Sequence, residues 1–183
     1  MKKIIILFSG EGSNLQNLIE QLHLKHCEVI AAITNRPKAG GIVKAKSFNI
    51  PVTIIDHTHF ESREAFDTVL VEHIKAYDAD LVVLAGFMRI LTPLFTLHVK
   101  AINLHPSLLP KFKGAKAIER SFESDEREGG ISVHWVSPEL DGGAVIAQGS
   151  FEKSEDETLE SFTCKIKELE HTLLPETIIE LLK

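Results

Sequence analysis

Cysteine is scarce in this chain: Cys27 and Cys164 are the only two in 183 residues. They stand far apart with no CxxC spacing, so neither a disulfide framework nor a zinc knuckle is indicated. Basic charge is also in short supply, with 20 Lys and Arg against 26 Asp and Glu and a formal net charge of −6. Neutralising a nucleic-acid backbone takes a basic patch. No segment supplies one, so the expected partners are small molecules and not nucleic acid. Long apolar runs are missing as well. The run over residues 4–8, behind two lysines, is too short for a signal-peptide core or a membrane span. A cytoplasmic protein without membrane contact is therefore expected. Repeats, low-complexity tracts and linkers are absent.

What is present suits one domain. Hydrophobic residues make up 44% of the 183, enough for a substantial core and short for two, so a single domain over residues 1–183 is expected. An apolar run over residues 3–9 meets Gly10-Glu11-Gly12-Ser13-Asn14, after which Leu15, Leu18, Ile19 and Leu22 fall at the spacing of one helix face. This predicts a strand, a glycine turn and a helix. Further strands are predicted over 29–34, 51–55, 81–85, around Asn103, over 131–136 and over 144–151. Helices are predicted over 42–48 and behind a Ser62 cap, the latter burying Phe66, Val69, Leu70, Ile74 and Tyr77. A last helix is predicted from a capping box of Ser154 and Glu157, burying Leu159, Phe162, Ile166, Leu169 and Leu173, with Pro175 kinking or ending it. Strands alternating with helices, and apolar on both faces, indicate an α/β fold: a single Rossmann-like domain whose mostly parallel central sheet has helices on both faces.

Four stretches carry chemistry. Asn103 and His105 follow the run Val99-Lys100-Ala101-Ile102, and the two-residue period of a strand puts both side chains on one face. Pro106 has no backbone donor and should stop the ladder, leaving amide and imidazole at the mouth of the sheet, where open α/β sheets hold ligands. Taken alone, this is more simply a polar strand terminus. The turn at residues 10–14 offers backbone amides and a helix dipole to a phosphate. It is not a dinucleotide fingerprint, because the third glycine would fall at Leu15 and the second strand ends at Thr34-Asn35-Arg36 without a ribose-binding acid. One phosphate is expected. The glycines of Asp141-Gly142-Gly143 allow a sharp turn that holds the carboxylate over the sheet end, within reach of His105. Residues 84–91 form an apolar stretch suited to walling a flat heterocycle. By contrast, His134 next to Trp135 fits a supporting or core role better than catalysis. His57 and His59 lack a third ligand, so no metal site is expected.

Together, Ser9-Gly10-Glu11-Gly12-Ser13-Asn14-Leu15, residues 84–91, residues 102–112, Ser132-Val133-His134 and Glu139-Leu140-Asp141-Gly142-Gly143 resemble the formyltetrahydrofolate-dependent formyltransferases. Among these, the Gly-Ser-Asn turn points to the phosphoribosylglycinamide formyltransferases. The resemblance implies transfer of a formyl group from 10-formyltetrahydrofolate, as co-substrate, to the amine of 5'-phosphoribosylglycinamide in de novo purine biosynthesis, by direct attack without metal or covalent intermediate. It implies catalytic roles for Asn103, His105 and Asp141. Gly12, Ser13 and Asn14 would hold the substrate phosphate and Glu170 its ribose or amine end. Arg63, Met88, Arg89, Ile90, Leu91, Ser137, Pro138, Glu139 and Leu140 would hold the folate. The chemistry agrees: charge developing on the formyl oxygen calls for a neutral amide donor such as Asn103, and Asp141 would orient the imidazole of His105 and favour its cation.

The chain departs from the family at Lys113-Gly114-Ala115-Lys116, which lacks the bulky residues expected there, and it ends at Lys183, where longer members carry a further segment. A homodimer is left open. Two alternatives stand beside this expectation. One is another formyltetrahydrofolate enzyme, a hydrolase or an amino-sugar or tRNA formyltransferase; a hydrolase would be expected to need a regulatory domain and a tRNA formyltransferase an RNA-binding domain, for which 183 residues leave no room. A non-catalytic nucleotide-binding module would use the glycine turn but give no reason for Asn103, His105 and Asp141.

Overall fold

A first strand buried on both sides needs neighbours in both directions, and β1 (Lys3–Phe8) has them: every residue from Ile4 to its end is fully buried. The computed structural model describes all residues, Met1–Lys183. Along the chain follow α1 (Ser13–Leu22), β2 (Glu28–Thr34), α2 (Gly41–Ser47), β3 (Val52–Ile54), α3 (Arg63–Ala76), β4 (Leu81–Leu84), α4 (Pro93–His98), β5 (Ala101–His105), α5 (Ala117–Glu123), β6 (Glu128–Trp135), β7 (Val145–Glu152) and α6 (Leu159–Leu181). The strands form one seven-stranded sheet in the order β3-β2-β1-β4-β5-β6-β7. β1 to β5 pair in parallel, and β6 and β7 join antiparallel. The α/β architecture with a mostly parallel sheet is the one expected. Strand order reverses between β1 and β4, and a crevice outside the carboxyl ends of strands at such a switch point is where this architecture binds ligands.

The two-residue period of β1 divides the core. Ile4, Ile6 and Phe8 pack with the apolar faces of α1, α2 and α6, including Leu15, Leu18, Phe162 and Ile166. Ile5 and Leu7 point the other way, onto Phe66, Leu70 and Ile74 of α3 and Phe95 of α4. Helices therefore cover both faces. None of them is long and apolar enough to cross a membrane.

Local signals worked where side chains dominate. Ser62 caps α3, its Oγ accepting from the Ala65 N–H at 3.1 Å, and Phe66, Leu70 and Ile74 are buried as expected, while Val69 and Tyr77 are half-buried. The last helix needs correction. Its capping box is Thr158 with Ser161, each hydroxyl accepting from the other's N–H at 3.1 and 3.2 Å. Ser154 and Glu157 do bond, at 3.2 and 3.3 Å, but in the turn before the helix. Leu159 is consequently the first helical residue and 41% exposed, not buried.

Pro175 does not end this helix, which continues to Leu181. A proline in a helix interior costs about 3 kcal/mol, partly because it cannot donate to the carbonyl four residues back. Here that carbonyl, of His171, accepts from the side-chain amides of Asn17 and Gln21 on α1, each at 3.0 Å. Two such bonds, at about 1 kcal/mol net each, offset much of the cost. Two short helices, α4 of 6 residues and α5 of 7, are additions to the elements expected from the sequence.

Candidate active site

At the carboxyl ends of β1, β4 and β5 lies a cleft of about 500 Å³. Asn103 and His105 reach it from one face of β5, as the strand period requires, and pair in register with His134 and Ser132 on β6. Asp141 comes from the loop after β6, with a left-handed φ of +52°. The following glycines permit that turn. At Gly143 a Cβ would lie 1.7 Å from the Trp135 carbonyl oxygen, so no larger residue fits.

Asp141 is buried and three groups converge on it. Its Oδ2 accepts the Gly114 N–H at 2.8 Å and lies 3.4 Å from His105 Nδ1, while Oδ1 is 3.6 Å from His134 Nε2. Burial pushes this carboxyl up, but the approach of His134, the Gly114 N–H and the charge of His105 outweigh it and hold the group below its ordinary value. His105 Nε2 donates to the Phe112 carbonyl at 2.8 Å. Both ring nitrogens of His105 thus face acceptors, an arrangement fully satisfied by the imidazolium.

His134, also buried, lies between the other groups. Nδ1 is 2.9 Å from the Trp135 carbonyl, which can only accept, so Nδ1 carries a proton. Nε2 lies 3.6 Å from Asp141 Oδ1, to which it donates when the ring is charged; when the ring is neutral it accepts from Asn103 Nδ2, 3.2 Å away. This fixes which way the Asn103 amide faces and leaves its second N–H free for the cleft.

The glycine turn lies beside the cleft. Gly12 has φ +74°, and a Cβ there would meet the Cα of Gly41 on α2 at 2.7 Å. Glycine is required twice over, for the left-handed backbone and for the close packing of α2. No side chain caps α1, so the N–H groups of its first turn, at Ser13 and Asn14, remain suited to an anion. Ser13 is exposed, whereas the Asn14 side chain turns inward and donates to Glu170 Oε2 at 3.0 Å. Burial raises the Glu170 carboxyl above its ordinary value despite the opposing Asn14 hydrogen bond and Lys167 charge.

Asn14 and Glu170 line the cleft together with Asn103, His105, Asp141, Met88, Arg89, Ile90, Leu91, Ser137, Pro138, Glu139 and Leu140. Gly12 and Ser13 stand outside its lining. Arg63 does too: it is exposed at the first residue of α3. Arg89 sits with its guanidinium over the Phe66 ring, 4.9 Å from the centroid. Residues 113–116, marked in the sequence as a departure, border the site directly, as does Phe112 at the end of the stretch 102–112. They contribute the Phe112 carbonyl, the Gly114 N–H and an ion pair from Lys113 Nζ to Glu139 Oε1 at 2.9 Å. Two of these three contacts are made by main-chain atoms, which leave no side-chain signature to read. No group of three His, Cys, Asp or Glu side chains converges as a metal site would require; His57 instead faces the Asn35 carbonyl at 2.9 Å.

A family model described as formyl transferase matches residues 2–178. The phosphoribosylglycinamide formyltransferase of Bacillus subtilis (strain 168) is 36% identical over 186 residues, covering 100% of this chain and 95% of that one. The crystal structure of phosphoribosylglycinamide formyltransferase from Campylobacter jejuni subsp. jejuni superposes with a TM-score of 0.97 at 52% identity, over 100% of this chain and 98% of the other. A 39% identical match over 183 residues, 97% of this chain, spans 13% of the trifunctional purine biosynthetic protein adenosine-3 of Chironomus tentans.

Proposed function

The chain belongs to the formyl transferase family, and from that premise we propose that it is a phosphoribosylglycinamide formyltransferase. It moves a formyl group from 10-formyltetrahydrofolate to the amine of 5'-phosphoribosylglycinamide in de novo purine biosynthesis, acting in the cytoplasm as one domain over residues 1–183. The observation that carries this reading is the meeting of Asn103, His105 and Asp141 in one cleft whose lining also takes in Asn14, Glu170 and the loops of residues 88–91 and 137–140.

The substrate amine attacks the formyl carbon, a C–N bond forms, and negative charge grows on the formyl oxygen. The free N–H of Asn103, aimed by His134, donates to that oxygen. His105 supplies a second donor. For its Nε2 to reach the oxygen it must leave the Phe112 carbonyl, while Asp141 keeps hold of Nδ1. As the tetrahedral intermediate collapses, the bond from carbon to the folate N10 breaks, and the proton lost by the attacking amine passes to N10, with His105 as its carrier. Gly12, Ser13 and Asn14 bind the ribonucleotide phosphate at the start of α1, and Glu170 its ribose or amine end. Arg63, Met88, Arg89, Ile90, Leu91, Ser137, Pro138, Glu139 and Leu140 hold the folate co-substrate, and the reaction calls for no metal.

The test is an absorbance assay of folate release with phosphoribosylglycinamide and 10-formyl-5,8-dideazafolate, run beside a control in which water is the only acceptor. Release that depends on the amine is expected. Equal release in the control would identify a hydrolase, and none in either would leave a binding module.

A further inference from the structure

Ser9 is 1% exposed and lies at the end of β1, immediately before the glycine turn. Its N–H donates to the Gly86 carbonyl at 3.0 Å, and its hydroxyl oxygen accepts the Met88 N–H at 2.7 Å. The hydroxyl proton goes to Asn35 Oδ1 at 2.5 Å. Asn35 is fully buried at the end of β2, and the His57 ring stands against it, with Nδ1 3.2 Å from its amide nitrogen and 2.9 Å from its carbonyl.

These bonds matter because of what they hold. Met88 and Ile90 project into solvent at the rim of the cleft, 66% and 46% exposed, while Arg89 between them lies over the Phe66 ring and Phe87 and Leu91 are buried, so at Met88 itself the main chain is the anchor. Asp67 ties down the far end through the Thr92 N–H and hydroxyl, at 2.6 and 2.7 Å. At the near end, the polar ties are the two made by Ser9. One hydroxyl acts as donor and acceptor at once, and its removal would release the Met88 N–H and leave Asn35 Oδ1 without that partner in a buried site.

We propose that Ser9 is a positioning residue that fixes the folate-facing loop of residues 86–91 to the end of β1, and so sets affinity for the formyl folate without touching it. The inference rests on the assignment of Met88, Arg89, Ile90 and Leu91 to the folate. Ser9→Ala raises KM for 10-formyl-5,8-dideazafolate about tenfold or more, the scale of a lost buried hydrogen bond with orphaned partners. KM for phosphoribosylglycinamide stays within about twofold. Ser9→Thr, which keeps the oxygen, restores the folate KM. Ser9→Cys, with a weaker donor and acceptor, falls between them and carries the test if the alanine variant does not fold.

Amide hydrogen exchange at Met88 in the ligand-free protein reads the same clamp without reference to catalysis. Exchange in Ser9→Ala should be at least about tenfold faster than in the parent. Failure of the parent to turn over would remove the assigned function and leave the exchange result to decide the clamp. An unchanged folate KM, an equal rise in both KM values, or a Met88 amide that exchanges as slowly in Ser9→Ala as in the parent overturns the proposal.

Discussion

Asp141 holds His105 from one side while the Phe112 carbonyl holds it from the other, at 3.4 Å from Nδ1 and 2.8 Å from Nε2. Because Asp141 acts through that ring, Asp141→Asn and His105→Ala should each lower turnover greatly while changing ligand affinity much less. The double variant should be scarcely worse than the more damaged single one. Turnover and binding measured for all three decide this, and fully additive losses would mean that the two residues work independently.

The same carboxylate has a signature in stability. Its pKa is lowered in the folded chain, so its stabilising contribution is present above the ordinary aspartate value of about 4 and is lost as pH falls through the folded value. Denaturant titrations at pH 2–7 should show the stability gap between the parent and Asp141→Asn closing below about pH 4. A gap that is constant across that range would contradict the lowered value.

For Asn103, the sharper substitution is aspartate. Asn103→Ala removes a donor, at a cost of about a hundredfold or more in turnover. Asn103→Asp places a negative charge where charge of the same sign develops, and should be slower still. Near-normal turnover in either variant would reduce Asn103 to a strand terminus.

Glu170 shows the opposite linkage. Its pKa is raised by burial, so the folded chain binds the proton more tightly than the unfolded one, and stability falls as pH rises above the ordinary glutamate value of about 4.3. Glu170→Gln should remove that fall and be at least as stable as the parent at neutral pH, while KM for phosphoribosylglycinamide rises. Thermal melts at pH 4 and pH 7, paired with kinetics, test both halves.

Gly12→Ala should fail in two ways at once. A left-handed non-glycine residue costs about 1–2 kcal/mol, and the new Cβ would lie 2.7 Å from the Gly41 Cα, so α2 must move. Denaturant unfolding should show a loss of at least about 1 kcal/mol, with weaker phosphate binding by calorimetry. Unchanged values would take the glycine turn out of the anion site.

Side-chain chemistry at regular spacing was the legible part of this protein. The period of β5 put Asn103 and His105 side by side, and the apolar run of β1 announced a central parallel strand. The glycine turn was recognisable because its residues are also those that its backbone requires. The glycines after Asp141 suggested a carboxylate within reach of His105, and the family resemblance gave the pair a role, since distance along the chain alone gives no hint of their meeting. The Phe112 carbonyl and Gly114 N–H were beyond any residue pattern, because every residue type offers those atoms. At α6 two consecutive capping pairs, Ser154 with Glu157 and Thr158 with Ser161, competed for one helix start. Only the tertiary position of the first turn selects the second pair.

Pro175 has an effect beyond leaving the His171 carbonyl without its helical donor. An intact helix could slide along its neighbour with every backbone group still satisfied, but α6 carries one carbonyl that is satisfied only opposite Asn17 and Gln21. The proline makes the two helices a keyed joint with one seating. Glu170 is the residue next to the key, and Asn14 lies one turn before Asn17 on α1, so the seating that feeds the carbonyl also brings Glu170 to Asn14 at 3.0 Å. Pro175→Ala would repair the helix and loosen the alignment of Glu170, the carboxylate proposed to hold the substrate, so a more regular helix would make a less accurate site.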